Sequence, residues 1–383
     1  MRAILLFISI VLLTATCRRQ MPTQKDGALS LRFIVADTSG VIQTDQKLGY
    51  APLSFSQVVL ESKKYFTPEG NQKTYYAFTD SHGIAVINNL PVADYSLSVI
   101  KDTVYTHPET QLSVKAKLTG SSLIRMTEDR INMDTLETQK APDTSPVINE
   151  IYYCGPKNNA NYFYDQYIEL YNPADTSVYL DGMILCRGRQ ARPANIEQVD
   201  YTQAVYVYQF PGEPKKGREY PLGPREFTVI AQDAYDHSQF IATALDLSGV
   251  DWEFYNPYKG DFDNAAENVN NVIKERSTDF MINLVHNDII LADGSDFYIG
   301  EISEYGHPYI HIPLKTIIDG VEYSANPEKQ KELTRRVDAG FAGVGIAKYS
   351  GKSTERRTPG FDTNNSSIDF VVLEHPTPGY QHE

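Results

Sequence analysis

The amino-acid sequence predicts an all-β protein made of two β-sandwich domains. Its 383 residues include 26 Tyr and 16 Phe but a single Trp, and Tyr and Phe suit the half-buried, pleated surface of a β-sheet. Short runs of alternating apolar residues recur along the chain, separated by Gly, Pro, Asn and Asp turn signals. This spacing is typical of an antiparallel sandwich, and the length is sufficient for two or three domains.

The first seventeen residues have the features of an export signal. Arg2 supplies a positive start, and Ala3–Leu13 is an apolar run too short to span a bilayer comfortably. Small residues then lead to Cys17, and this arrangement resembles a bacterial lipoprotein signal. The resemblance implies that Cys17 is lipidated and becomes the mature N-terminus, with residues 18–27 as a polar tether. Ordinary cleavage nearby, with Cys17 left as a plain thiol, is the alternative.

The composition and the residues after Cys17 also predict a location. No later apolar run is long enough to span a membrane, so the only predicted membrane contact is the lipid anchor in the outer membrane. Arg18, Arg19 and Gln20 stand where surface-exported Bacteroides-type lipoproteins tend to carry acidic residues, which favours the periplasmic face over the cell surface. The formal net charge of −14 disfavours nucleic-acid binding by the chain as a whole.

The first predicted domain covers residues 28–126. Its strand and turn signals include Thr79–Ile84, Leu90–Pro91 and Tyr95–Leu97, and their order resembles the carboxypeptidase-regulatory or prealbumin-like domain. That resemblance implies an antiparallel β-sandwich that acts as a scaffold without catalytic groups of its own. The polar stretch 127–146 is predicted to be a linker.

The second predicted domain covers residues 147–383, and both of its ends carry a pattern that resembles the lamin-tail domain, an immunoglobulin-like β-sandwich. The separation of the two ends is much longer than that fold requires, which implies a large insertion at about 188–348. The matching segments are Ile148–Ile151, Tyr167–Pro173, Val178–Gly182, Gly351–Arg356 and Pro376–Gly379.

One helix is predicted inside the insertion. Asn326-Pro327 is a typical helix start, Glu328–Val337 continues without a breaker, and Gly340 provides a stop. The rest of the insertion is predicted to be strands and polar loops.

The pairing of these two domains behind a lipoprotein signal resembles a family of Bacteroides-type outer-membrane lipoproteins of unknown function, often encoded beside outer-membrane receptors. The resemblance carries no activity. The function predicted first is a non-enzymatic, lipid-anchored accessory or binding protein whose loops meet an outer-membrane receptor, another protein or a glycan. An exported metal-dependent hydrolase with its site in residues 232–311 and a purely structural spacer are the alternatives.

Aromatic residues are concentrated in the first strand–loop–strand unit of the second domain. Tyr153, Tyr162, Phe163, Tyr164 and Tyr167 are candidates for an exposed platform that binds glycan or protein, because tyrosine combines apolar area with a polar tip. The alternative is that these rings form sandwich core and cross-strand pairs.

Cys154 and Cys186 are the only cysteines of the predicted mature folded region. The periplasm is oxidising, and a disulfide here would close a loop of about 33 residues, worth roughly 3–4 kcal/mol by chain entropy. A disulfide and two separate thiols both remain open. No activating motif marks either residue as a nucleophile, and no catalytic residue is predicted.

Two candidate metal sites are visible, and both are weak. Glu301, Glu304, His307 and His311 contain zinc-type ligands, but a glycine and a proline among them disfavour a helix, and on a strand two residues four apart are about 13 Å apart. The acidic loop containing Asp261 and Asp263 suggests calcium, which prefers oxygen ligands, but it lacks the regular D-x-D-x-D-G spacing. No other cofactor is expected.

Overall fold

The computed structural model describes residues 29–67, 72–106, 113–127, 132–140, 145–190, 195–274, 279–304 and 306–382. These residues form two curled, mixed β-sheets with almost no helix. The predicted all-β class with two β domains is confirmed. Cys17 and the tether 18–27 lie outside the described residues. Within the described ranges, no helix is long and apolar enough to cross a membrane.

The first sheet has eight strands, and its spatial order is β2-β1-β8-β7-β6-β3-β4, with β5 also paired to β1. All neighbours are antiparallel except β1 and β8, which run parallel. The strands are β1 (Leu29–Asp37), β2 (Ala51–Pro52), β3 (Gln57–Phe66), β4 (Gln72–Phe78), β5 (Ile84–Leu90), β6 (Ala93–Thr106), β7 (Ser113–Met126) and β8 (Asn132–Lys140).

Period-two alternation accounts for the core of this sheet. In β1, Leu31, Phe33 and Val35 are buried while Arg32 between them is exposed, because successive side chains of a strand point to opposite faces. The curled sheet closes over these residues, and Leu60 of β3 and Leu97 of β6 join the same apolar cluster.

The second sheet has thirteen strands, and β11 and β14 form a separate pair. Its main path is β21-β18-β12-β13-β17-β16-β15-β10-β9-β22-β23, with β20 paired to β13 and β19. The elements are β9 (Val147–Tyr152), β10 (Tyr167–Tyr171), β11 (Val178–Tyr179), β12 (Ile184–Gly188), β13 (Tyr201–Gln209), β14 (Pro221–Leu222), β15 (Phe227–Ala231), a 3-10 turn (His237–Gln239), β16 (Trp252–Tyr255), β17 (Glu267–Asn271), β18 (His286–Ala292), β19 (Tyr298–Ile302), β20 (Pro308–Pro313), a second 3-10 turn (Leu314–Thr316), β21 (Ile317–Ser324), β22 (Ser353–Arg356), α1 (Ser366–Asp369) and β23 (Phe370–Leu373).

Three adjacent strands of the second sheet, β9, β10 and β22, are buried along their whole length. The largest apolar cluster covers one side of them, with Ile148, Ile168 and Leu170 among its members. The C-terminal segment 377–382 lies on the other side, since it donates hydrogen bonds to side chains of all three strands. Polar groups on these strands are therefore held away from water.

The linker is shorter than the sequence predicts. Residues 132–140, expected within the linker 127–146, form β8, which pairs with β1 over Arg32–Asp37 and with Leu118 and Thr119 in the middle of β7. β8 completes the sheet because its Leu136 enters the first core. The segment is polar except for a few positions, so its alternation was too faint to predict a strand.

The predicted helix at Glu328–Val337 is wrong, and the described residues contain only the four-residue α1. The Glu322 carboxylate accepts hydrogen bonds from the backbone N–H groups of Glu332 and Leu333, both at 2.9 Å. Lys331 is buried and pairs with Glu322 at 3.0 Å. These tertiary contacts outweigh a helix propensity of a few tenths of a kcal/mol per residue.

The two sheets contact each other through loops of the second. Ser96 Oγ donates to the Ala339 carbonyl at 3.4 Å, and Ser121 Oγ donates to the Asn364 carbonyl at 3.1 Å. The Lys63 ammonium lies 5.2 Å from the centre of the Phe341 ring. A cleft remains between the sheets beside these contacts.

Candidate functional site

Two loops of the second sheet bring five aromatic side chains together. Tyr162, Phe163 and Tyr164 lie between β9 and β10, and Tyr235 and Phe240 follow β15. Phe163 stacks on Tyr164 with ring centres 5.0 Å apart, and Tyr235 stacks on Phe240 at 5.6 Å. These five side chains are called the aromatic surface below.

His237 joins the two halves of the aromatic surface. Its ring centre is 5.9 Å from that of Tyr162 and 6.1 Å from that of Tyr235. Nε2 is 3.0 Å from the Asp233 carbonyl, which can only accept, so Nε2 carries a proton and Nδ1 accepts from the Tyr162 hydroxyl at 2.7 Å. Burial lowers the pKa of His237, so the imidazole is neutral at pH 7 and fixes both loops without adding charge.

The aromatic surface is open to solvent and has an acidic rim. Phe240 is 68% exposed, Tyr164 40% and Tyr235 37%. Asp236 and Asp246 form a backbone bridge beside Phe240, and hydrogen bonds from Ser238 and Gln239 lower the pKa of the Asp236 carboxyl. Flat apolar faces thus stand next to the ionised Asp236 carboxylate.

Two of the five predicted platform residues do not belong to this surface. Tyr153 and Tyr167 are fully buried. Tyr153 stacks on Tyr323 with ring centres 4.1 Å apart, and the Tyr167 hydroxyl donates to the Glu150 carboxylate. Both belong to the largest apolar cluster and are therefore the core residues that the alternative interpretation expected.

A second arrangement was not predicted from the sequence. Glu150, Glu169 and Glu355 lie on β9, β10 and β22, where Glu150 is directly opposite both of the others. One carboxylate oxygen from each lies within 4.8 Å of the other two, and all three side chains are fully buried. These residues are called the carboxylate trio. The sequence signal was one glutamate within each of three short strands, which alone does not show that the three side chains meet.

The C-terminal segment 377–382 closes over the carboxylate trio. The Thr377 hydroxyl lies 3.2 Å from Glu150 Oε2 and 3.1 Å from Glu355 Oε1. The Gly379 N–H donates to Glu169 at 2.6 Å, and the Gln381 amide donates to Glu355 at 2.9 Å. Further donors come from the Tyr167 and Ser353 hydroxyls, the Thr377 N–H, the Asn149 amide and the His382 N–H and ring.

Burial governs the protonation of two members of the trio, Glu150 and Glu169. It raises the pKa of Glu150 to about 7, although hydrogen bonds from Ser353 and Tyr167 oppose the shift. It raises the pKa of Glu169 to about 8, and the nearby charge of Glu150 adds to the effect. Two like charges in one buried site disfavour ionisation of either group.

The two cysteines are separate, free thiols. Cys154 follows β9 and belongs to the largest apolar cluster, whereas Cys186 lies on β12 and belongs to another. Cys154 Sγ lies 3.3 Å from Ser350 Oγ, and burial raises the pKa of the Cys186 thiol far above its usual range. Of the two alternatives that the sequence left open, the structure therefore has the two thiols, which are buried and poorly suited as nucleophiles.

Only two of the four predicted zinc ligands, Glu301 and His311, contact each other. His311 Nε2 lies 2.8 Å from the Glu301 carboxylate, and the Gln203 amide contacts both. Glu304 and His307 lie in or beside the turn between β19 and β20. Within the described residues, the only group of three or more potential ligands close enough for one ion is the carboxylate trio.

The predicted calcium ligands, Asp261 and Asp263, accept hydrogen bonds from donors within their own loop. Asp261 accepts hydrogen bonds from the N–H groups of Asn256 at 2.9 Å and Phe262 at 3.0 Å, and Asp263 accepts one from the Asn268 amide at 2.9 Å. Burial raises the pKa of Asp261 to about 6. The loop is therefore ordered by its own backbone donors.

The cleft between the sheets is a third candidate, with a volume of about 720 Å³. Volumes of this size are common in ligand sites at domain boundaries. Glu61, Gln72 and Tyr76 line it from the first sheet, and Arg357 and Phe361 line it from the second. Tyr76 is 63% exposed.

Comparison with known proteins gives a family match for part of the chain. The model of a family described as "Protein of unknown function (DUF4876)" matches residues 223–296 and 298–377. No curated protein matches this chain.

Among solved structures, a DUF4876 family protein from Bacteroides thetaiotaomicron VPI-5482 is similar over 90% of this chain and 94% of that chain, with 20% sequence identity and a TM-score of 0.53. The two chains share an overall fold. A Pseudomonas aeruginosa protein to which carbohydrate binding is attributed covers 30% of this chain and 91% of its own, with 14% identity and a TM-score of 0.21. Similarity at that level carries no inference about fold or ligand.

Proposed function

We propose that the protein is a non-enzymatic, lipid-anchored binding protein of the outer membrane, a member of the family that its C-terminal half matches, and that it binds a glycan at the aromatic surface. The observation that carries the proposal is the pair of ring stacks, Phe163 on Tyr164 and Tyr235 on Phe240, held open to solvent by a buried histidine.

The chemistry of the aromatic surface suits a sugar. The negative face of an aromatic ring attracts the polarised C–H groups of a pyranose, and sugar hydroxyls donate well to carboxylates. Asp236, which caps the 3-10 turn leading to Phe240, supplies such a carboxylate beside the rings. The loops are already fixed through His237, so little conformational entropy is lost on binding.

The test is affinity electrophoresis of the purified protein in gels that contain single polysaccharides, followed by calorimetry with the best ligand. The variants are Tyr164→Ala and Phe240→Ala, and Phe262→Ala is the matched control because this ring is 83% exposed outside the aromatic surface. We expect each of the first two to weaken binding by about 10-fold to 100-fold, as loss of a central ring does. Equal loss in the control would refute the assignment.

A protein partner is the other outcome of the same test. If no polysaccharide retards the protein, a pull-down from detergent-solubilised outer membranes shows whether a receptor is captured and whether capture requires Tyr164 and Phe240. A partner captured without either ring would show that the protein binds through another surface and would refute the aromatic surface as the binding site. Metal-dependent hydrolysis in residues 232–311 would instead require turnover that chelator abolishes.

The lipid anchor is tested separately. Cys17→Ala should release the protein into the soluble fraction, because one thioether-linked lipid group is the only anchor proposed. A variant that stays in the outer-membrane fraction would refute the anchor but leave the binding surface untouched.

A further inference from the structure

The carboxylate trio meets the distance requirement of a calcium site. Calcium binds oxygen atoms at about 2.3–2.6 Å, so two oxygens on one ion lie at most about 5 Å apart. One oxygen each from Glu150, Glu169 and Glu355 lies within 4.8 Å of the others. Magnesium needs shorter bonds of about 2.0–2.1 Å in a strict octahedron, which draws its ligands closer together.

The three carboxylates of the trio have few positively charged side chains near them, which favours binding of a cation. No lysine or arginine among the described residues forms an ion pair with these three carboxylates, and the only basic contact is that of His382 with Glu355. All three carboxylates are fully buried. Buried charge without a partner is strongly unfavourable, and a divalent ion supplies the missing compensation.

The oxygen of a buried amide, which has no hydrogen-bond partner, gives independent support. The register between β9 and β10 shifts next to Glu169, so Asn149 and Glu150 share one partner position in a β-bulge and both side chains reach the same site. Asn149 is fully buried and its Nδ2 donates to Glu169 at 2.9 Å, while its Oδ1 has no hydrogen-bond partner. Rotation of this amide about its last side-chain bond would turn Oδ1 towards the carboxylates, an orientation that only a cation makes favourable.

We propose that Glu150, Glu169 and Glu355 bind a calcium ion, that the Asn149 amide oxygen and the Thr377 hydroxyl complete its oxygen shell, and that the ion holds the C-terminal segment 377–382 on the sheet. All five ligands are oxygen atoms, which hard cations prefer. The site is distinct from the Asp261–Asp263 loop and does not depend on the proposed glycan binding.

The test uses the full chain in detergent after treatment with chelator. Titration with CaCl2 in a calorimeter should give one ion per chain, and saturating CaCl2 should raise the melting temperature by several degrees, since a ligand that binds only the folded state stabilises it. MgCl2 at the same concentration should give a clearly smaller shift. Calcium should also slow trimming of the C-terminus by a carboxypeptidase by about tenfold or more.

Four variants locate the site. Glu169→Gln and Glu355→Gln keep the shape of the side chain and should abolish the calcium-dependent shift. Glu374→Gln, an exposed carboxylate beside the C-terminal segment, should retain it, and so should the double variant Asp261→Asn, Asp263→Asn.

Several results would overturn the proposal. They are absence of binding and of a melting shift in the unmodified chain, retention of the shift in both glutamine variants, and its loss in the double variant. If the glutamine variants do not fold, the carboxypeptidase assay on the unmodified chain decides, and equal trimming rates with calcium and with chelator would refute the site.

Discussion

Glu61 should make the stability of the protein fall as the pH rises. It lies on β3, is 8% exposed and faces the cleft between the sheets. The Gln72 amide nitrogen can reach its two oxygens at 3.3 and 3.0 Å. Burial raises its pKa from 4.5 to about 7, and the positive charges of Arg357 and Lys63 oppose the shift without cancelling it.

The magnitude follows from this shift. Each pKa unit corresponds to about 1.4 kcal/mol, so a shift of about 2.5 units corresponds to about 3 kcal/mol. The stabilisation is fully present below pH 4.5, where Glu61 is protonated in the folded and the unfolded chain. Between pH 4.5 and 7 the unfolded chain releases its proton first, so the free energy of unfolding decreases.

The measurement compares the protein with Glu61→Gln, which keeps a neutral side chain at every pH. Urea unfolding followed by circular dichroism from pH 4 to 9 gives the difference in unfolding free energy. We expect it to shift in favour of the variant by about 3 kcal/mol between pH 4.5 and 7 and then to level off. Glu374→Gln, which removes an exposed carboxylate whose pKa is lowered by Lys352, should show no such gain.

A difference between the protein and Glu61→Gln that stays constant across this range would refute the reasoning. It would mean that Glu61 ionises in the folded protein at the same pH as in the unfolded chain. Water, or the side chain of Arg357 or Lys63, would then stabilise the ionised carboxylate in the cleft.

Three further perturbations test the second domain. Arg356→Met removes the buried guanidinium that pairs with Asp319 at 2.7 Å and should lower the unfolding free energy by about 3–5 kcal/mol, because a buried carboxylate loses its partner. Without reductant, Cys154 and Cys186 should resist a thiol reagent in the folded protein and both should react after unfolding in urea. Gly188→Ala places a methyl group against the buried carboxylate of Asp288 and should cost about 1–3 kcal/mol in urea unfolding.

Each of these three predictions has a control variant or an outcome that would contradict it. Arg225→Met breaks an exposed ion pair with Asp175 and should change stability by less than about 1 kcal/mol. Thiols that stay unreactive in urea until reductant is added would show a disulfide. Unchanged stability of Gly188→Ala would show that the Asp288 side chain moves aside freely.

Local sequence patterns were sufficient to predict the all-β class and most of the strands. Burial of one face of a sheet makes apolar and polar residues alternate along each strand, and this alternation can be read directly from the sequence. In β1, Leu31, Phe33 and Val35 alternate with polar or half-buried neighbours. Tyr162, Phe163 and Tyr164, three of the five rings predicted as a platform, lie together in the loop between β9 and β10. Sequence patterns failed to predict β8, because most of its residues are polar. They also predicted a helix around Lys331, where tertiary contacts such as the ion pair with Glu322 set a different backbone conformation.

The sequence by itself determined that this protein is built of strands, where its turns fall and which aromatic residues are available. Only the tertiary structure decided which of them are exposed, since Tyr153, directly after β9, and Tyr167, on β10, are fully buried. It also decided that Glu150, Glu169 and Glu355 meet, although Glu355 follows Glu150 by some 200 positions. The physical reason is that sheet register joins residues distant in the chain, and local pattern does not encode that register across such separations.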